Sequence, residues 1–246
     1  MKKNAVIVAG GSGSRMGSAV PKQFLLLRDK PVLWYTLEAF LGAYEDMRVV
    51  LVVPAEHMAA AQAIVEATRA SQRVRLTPGG VTRFHSVQNG LKLINEDCVI
   101  FVHDGVRCLV SGDLIRRCYE QAVSLGSAIP VVDSKDSVRL VTKGGNEAVD
   151  RSRVKLVQTP QTFLSTILLP AYAPGVEYRE AFTDEATVAE AAGHTVQLVE
   201  GDINNIKITT PIDLVIAEEM LDTRKTAPGS GAGDGTSPGD RPGPGD

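Results

Sequence analysis

Five short apolar runs mark residues 5–132 of the chain: Ala5 to Ala9, Val49 to Val53, Val74 to Leu76, Val99 to Val102 and Ala128 to Val132. Rich in β-branched residues and bounded by polar turns, they have the pattern of strands covered on both faces. Between them, Leu33 to Leu41, Glu56 to Thr68, Arg83 to Leu93 and Ser111 to Val123 carry apolar residues three and four apart. That spacing predicts helices, the last with Ser111 as its N-cap. Such alternation predicts an α/β fold with a doubly wound, mostly parallel sheet, on which ligands sit at the carboxyl ends of the strands.

The pattern changes after Ser137. Ser137 to Val141 alternates, Lys143-Gly144-Gly145-Asn146 turns, and Glu147 to Val149 alternates again, which predicts a β-hairpin. A two-stranded hairpin is marginal alone in water, so this one is expected to pack on a partner subunit. From Thr226 to Asp246 the chain is Gly, Pro, Ser, Asp and Thr with Arg241 and two alanines. Nothing there can build a core, so residues 1–222 are expected to form the folded domain, with an arm at about 133–152, and residues 223–246 a disordered tail.

The polar clusters follow the strands. The first strand runs into Gly10-Gly11-Ser12-Gly13-Ser14-Arg15-Met16-Gly17, with Pro21-Lys22-Gln23-Phe24 close behind. Glycines let backbone approach a ligand closely, successive N–H groups in such a turn form an anion site, and Arg15 and Lys22 add two cations. The dinucleotide fingerprint fails because Met16 stands where its third glycine belongs, and no Gly-Lys-Ser/Thr triplet completes a Walker motif. Pro78-Gly79-Gly80 follows the third strand, His103-Asp104-Gly105-Val106-Arg107 the fourth and Asp133-Ser134 the fifth, so all are expected at one edge.

Asp104 can hold a divalent cation, orient a substrate hydroxyl or simply cap a turn. His103 reads as a packed, hydrogen-bonded side chain, since the other histidines are scattered. Thr159, in Thr159-Pro160-Gln161-Thr162, and Thr183, in Phe182-Thr183-Asp184-Glu185-Ala186, each offer a hydroxyl beside a turn or helix start, where Thr183 or Asp184 is a natural N-cap. Arg151 follows the hairpin, and Lys207 precedes a helix that begins at Pro211 and runs to about Leu221.

A net charge of −3 over 246 residues provides no global basic field for nucleic acid. No apolar run approaches a membrane span, and the start lacks a signal-peptide core. Cys98, Cys108 and Cys118 are odd in number and show no C-x-x-C spacing. A cytoplasmic protein without zinc is the expectation.

In order, A-G-G-S-G-S-R-M with P-K-Q-F, H-D-G-V-R, V-D-R-S with V-Q-T-P-Q-T-F, F-T-D-E-A and V-E-G-D-I-N-N-I-K-I-T resemble the sugar-nucleotide cytidylyltransferases, most closely their methylerythritol phosphate branch. The resemblance spans Ala5 to about Leu221. It implies a Rossmann-like nucleotidyltransferase fold with a dimerisation arm, CTP as co-substrate, Mg²⁺ or another divalent cation, and a homodimer whose arms reach into each other's sites. It also implies that Ala9, Gly10, Gly11, Gly13, Gly80, Ser86 and Gly105 hold CTP, that Asp104 faces metal and ribose, and that Arg15 and Lys22 stabilise the transition state. Arg107, Ser134, Arg151, Thr159, Thr183 and Lys207 match acceptor positions, with Arg151 and Lys207 aimed at the acceptor's phosphate. The family commonly has alanines and a proline where this chain has Gly105, Val106 and Cys108, and a threonine at Ser134. A valine before the arginine also occurs in ribitol-5-phosphate cytidylyltransferases, which leaves the polyol phosphate open, whereas F-T-D-E-A looks like the methylerythritol branch.

Overall fold

The structure, a computed structural model, describes residues 1–11 and 20–226. The elements run β1 (Lys2–Val8), β2 (Leu26–Leu27), β3 (Lys30–Pro31), α1 (Val32–Ala43), β4 (Met47–Val53), α2 (Met58–Glu66), β5 (Val74–Pro78), α3 (Arg83–Leu91) and β6 (Cys98–Asp104). Then follow α4 (Gly112–Leu125), β7 (Ser127–Asp133), β8 (Val138–Thr142), β9 (Gly145–Val149), β10 (Lys155–Val157) and β11 (Gln161–Leu164). The chain ends through α5 (Ser165–Ala171), α6 (Glu185–Ala191), β12 (Leu198–Glu200) and α7 (Pro211–Thr226).

The main sheet is ordered β10-β7-β11-β6-β1-β4-β5, with β12 also on β7. Strands β6, β1, β4 and β5 are parallel, as are β12 and β7. β11 enters antiparallel between β6 and β7, and β10 lies antiparallel on β7, so the sheet is mostly parallel, as expected, with two reversed strands that the sequence pattern did not mark. From β1 the chain first winds outward through β4 and β5, then returns to lay β6 on the other side of β1. That reversal opens a crevice at the carboxyl ends of the central strands.

The period-2 pleat sorts β1 between two cores. Ala5 and Ile7 pack with Leu37 and Phe40 of α1, Ile64 of α2 and Leu114 of α4. Val6 packs on the opposite face with Val87 of α3, Leu168 of α5 and Val188 of α6. A third cluster seats α7 beneath the crevice, where Ala217 joins Val106, Cys108 and Ile208. Ser111 caps α4 as expected, accepting the Leu114 amide at 3.2 Å.

The hairpin forms its own two-stranded sheet, from Val138↔Val149 to Thr142↔Gly145. Its turn is tighter than expected: Gly145 pairs within β9 at φ +141°, leaving Lys143-Gly144 as the loop. The terminal helix is longer than expected, since α7 continues to Thr226 and takes in residues assigned to the tail. No glycine or proline interrupts it before Pro228, and its last turn is built of ordinary helix-forming residues. The rest of the expected tail, together with Gly13 and Arg15, lies outside the described residues.

Candidate active site

A cleft of about 520 Å³ opens at the crevice, lined by Val8 to Gly11, Lys22, Gln23, Gly80 to Arg83, Ser86, Asp104, Val106 and Lys207. Its size suits a nucleotide-sized ligand. The ends of β1, β5 and β6 therefore converge as expected. Asp133-Ser134 does not join them. Ser134 and Arg151 line a separate hollow with Asp133, Lys135, Ser152 and Lys155, and Arg151 Nη1 there donates to the Lys135 carbonyl at 3.3 Å.

Asp104 is the charge centre of the cleft. It ends β6 and is 7% exposed, with Lys207 Nζ 2.9 Å and Arg107 Nε 3.5 Å from Oδ2, and Arg83 Nε 3.3 Å from Oδ1. Burial would raise its pKa, but Arg83, Lys207 and Arg107 together hold the carboxyl well below the usual carboxylate range. Arg107 points inward, giving Nη1 to the Asn205 carbonyl at 2.9 Å, and burial lowers its own pKa. Lys207 reaches the cleft because the next residue is fixed, the Ile208 amide donating to the Val106 carbonyl at 3.0 Å.

Behind Asp104, Thr159 is spent on the framework. Its Oγ1 accepts the Asp104 amide at 3.1 Å and lies 3.0 Å from His103 Nδ1, while its carbonyl accepts the Asn205 side-chain amide at 2.8 Å. His103 is 0% exposed, and Nε2 meets the Arg107 carbonyl at 3.2 Å. Burial pushes its pKa down to about 3, so the imidazole is neutral. This is the packed histidine expected from the sequence.

The nucleotide-side loops are held from beneath. Gln23 donates its side-chain amide to the carbonyls of Ala9 at 2.7 Å and Gly11 at 3.2 Å, tying the segment that carries Lys22 to the end of β1. The Gly80 amide donates to Ser86 Oγ at 3.0 Å, and a Cβ on Gly80 would press into His85, whose carbonyl carbon would lie at 2.9 Å. Gly105 also sits against β1, its amide donating to the Val8 carbonyl at 2.8 Å. Thr183 is exposed, and the N-cap of α6 is its neighbour Asp184 in a full capping box.

Three residues escaped the sequence reading. Arg83 was seen only as a helix start, Gln23 only as part of a motif, and Glu185 only as a neighbour of Thr183. The available signal was a charged or amide residue inside a motif with no role assigned. Among the described residues no three His, Cys, Asp or Glu side chains gather as a metal cluster.

A family model described as 2-C-methyl-D-erythritol 4-phosphate cytidylyltransferase matches residues 4–223. A protein of that name from Phocaeicola vulgatus is 47% identical over 221 residues, covering 90% of this chain and 100% of that protein. A Bacteroides fragilis protein of the same name is 48% identical over 221 residues, with the same 90% and 100% coverage. Among solved structures, 4-diphosphocytidyl-2C-methyl-D-erythritol synthase from Anaerococcus prevotii superposes with a TM-score of 0.78 at 26% identity, covering 90% of this chain and 98% of that one. These likenesses lie in the methylerythritol phosphate branch that the F-T-D-E-A motif resembles.

Proposed function

The chain belongs to the 2-C-methyl-D-erythritol 4-phosphate cytidylyltransferase family, and from that premise we propose how its cleft performs the family's reaction. It is a nucleotidyltransferase that moves the cytidylyl group of CTP onto 2-C-methyl-D-erythritol 4-phosphate, giving 4-diphosphocytidyl-2-C-methyl-D-erythritol and pyrophosphate for isoprenoid precursors. The observation that carries the assignment to this cleft is the Lys207–Asp104–Arg107 cluster facing a glycine-bearing strand end.

In this reading Gly10, Gly11 and Gly13 receive the triphosphate, while Ala9, Gly80, Ser86 and Gly105 seat cytidine. The acceptor's phosphate oxygen attacks the α-phosphorus in line and pyrophosphate leaves, with no covalent enzyme intermediate. The nucleophile is already an anion, so the obstacle is repulsion between like charges and charge building on the α-phosphate. Lys22 and Arg15 meet that charge; Lys207 and Arg151 hold the acceptor's phosphate, with Ser134 and Thr183 nearby. Arg107 and Thr159 serve the acceptor side by fixing Asp104.

Asp104 fits a Mg²⁺ site of the kind that takes one protein carboxylate and completes its shell with phosphate oxygens. It is the one carboxylate among the described residues lining the cleft. When bound, the ion would neutralise triphosphate charge. We further propose a homodimer. Ser134 and Arg151 open onto their own hollow, so the partner's copies complete each acceptor site, and the hairpin carries exposed Leu140 and Val141 for the exchange. A cytoplasmic setting fits the buried cysteines, and no helix among the described residues is long and apolar enough to cross a membrane.

The test is pyrophosphate release by purified protein with Mg²⁺ and CTP, offered methylerythritol phosphate or ribitol 5-phosphate separately. Release only with the first is expected. Faster release with ribitol 5-phosphate would overturn the acceptor assignment.

A further inference from the structure

Behind the cleft lies a row of polar groups that the reaction as described leaves without a task. Glu185, the first residue of α6, is 0% exposed. Arg83, the first residue of α3, gives it Nη1 at 2.6 Å and Nη2 at 3.0 Å, a fork-on-fork pair. The buried Tyr172 hydroxyl donates to the same carboxylate at 3.3 Å. The third guanidinium nitrogen, Nε, faces Asp104 Oδ1 at 3.3 Å. Burial would lower the Arg83 pKa, but Glu185 and Asp104 hold it above the usual arginine range.

A buried ion pair is weak evidence for stability, because apolar residues of similar volume often do as well. The geometry here is more specific. Arg83 spends two nitrogens on a carboxylate outside the cleft lining and presents the third to Asp104, the one carboxylate among the described residues that line it. It follows the Gly79-Gly80 loop on the nucleotide side, whereas Glu185 follows Thr183 on the acceptor side.

We propose that Glu185, supported by Tyr172, is a positioning residue for the transfer: it latches the Arg83 guanidinium so that Nε fixes Asp104 Oδ1, leaving Oδ2 to Lys207. The latch has a second effect. It occupies the charge of a cleft-lining arginine that would otherwise turn toward the triphosphate. Loss of the latch therefore misplaces Asp104 while the freed Arg83 charge offsets the loss of CTP affinity, and Glu185 acts only through Arg83.

This rests on the cytidylyltransferase reading, which active wild-type enzyme tests separately. Steady-state kinetics with both substrates are measured for Glu185→Gln, Arg83→Gln and the double variant, with thermal melting of each. Glu185→Gln should lower kcat by roughly tenfold to a hundredfold, the scale of a misplaced catalytic group, with KM for CTP within threefold of wild type or lower. The double variant should fall no further than Arg83→Gln alone, within about twofold, as coupled residues do. Losses that multiply, a KM for CTP that rises with kcat intact, or a lowered melting temperature with full kcat would each overturn the proposal. Should Glu185→Gln not fold, Tyr172→Phe takes its place: a several-fold kcat loss that disappears in the Arg83→Gln background supports the latch, and a loss persisting there refutes it.

Discussion

Lys207 Nζ stands 2.9 Å from Asp104 Oδ2, joining the loop before the last helix to the end of a central strand. Around this contact Arg83, Arg107 and Lys207 face two carboxylates, Asp104 and Glu185. The cluster carries one surplus positive charge before Lys22 is counted. A site for two polyanions needs that excess, and a low-dielectric cleft makes it effective.

Lys22→Ala should lower kcat about a hundredfold to a thousandfold, the effect of losing one preorganised group at developing charge. Initial rates of pyrophosphate release at saturating substrates measure it. Turnover near wild type would remove Lys22 from the transition state.

Arg151→Ala should raise KM for the acceptor at least tenfold and leave that for CTP nearly unchanged, about the cost of one charge-assisted phosphate contact. Mixing this variant with Lys22→Ala tests arm exchange. In a two-fold dimer with swapped arms, assayed at acceptor concentrations well below the raised KM, where both parent variants are nearly silent, random mixing restores about a quarter of the wild-type rate, because half the sites of each heterodimer are intact. Confirmed heterodimers without recovered activity would mean that each site is built within one chain.

Gly80→Ala should destabilise the loop before α3 and weaken CTP binding together. The added methyl group meets His85, including its carbonyl carbon at 2.9 Å, so the backbone must move. A cost of about 1–3 kcal/mol is usual for such overpacking. Urea unfolding and CTP titration should change in parallel; an unchanged unfolding midpoint would show that the turn yields freely.

Acid should unfold the protein partly through His103. Its folded pKa, about 3, lies below the ordinary 6.5, so the unfolded chain binds the extra proton first. Stability contributed by the neutral ring is complete above the ordinary value and is lost as pH falls toward the folded one. Between pH 6.5 and 5 that loss is roughly 1–2 kcal/mol. Asp104, whose pKa is depressed, loses its contribution only below the ordinary carboxylate range. Urea titrations at the two pH values should therefore show a smaller acid penalty in His103→Gln; equal penalties would exclude His103 as the source.

The long-range frame was legible because strong local patterns decided it. Val49 to Val53 is apolar throughout and becomes a strand buried on both faces, and the apolar stripe from Leu33 to Leu41 becomes α1. Gln161 to Leu164 was not legible. Four residues with two polar side chains show no period, and the open slot between β6 and β7 makes them a strand. Within the site, Asp104 and Lys207 stood out as charges beside ordered elements. Arg83 and Glu185 did not, because 102 residues separate them and only the packing of α3 beside α6 makes them partners.

β11 runs against β6, so a residue that precedes a strand, Thr159, arrives where Asp104 leaves one. β10 repeats the arrangement against β7, bringing Arg151 and Ser152 to Asp133-Ser134. Reversing two strands thus gives the carboxyl edge a second source of side chains, segments that enter strands as well as segments that leave them. A mutational scan should find sensitivity on both sides of the sheet's strand boundaries, with the entering positions confined to the two reversed strands.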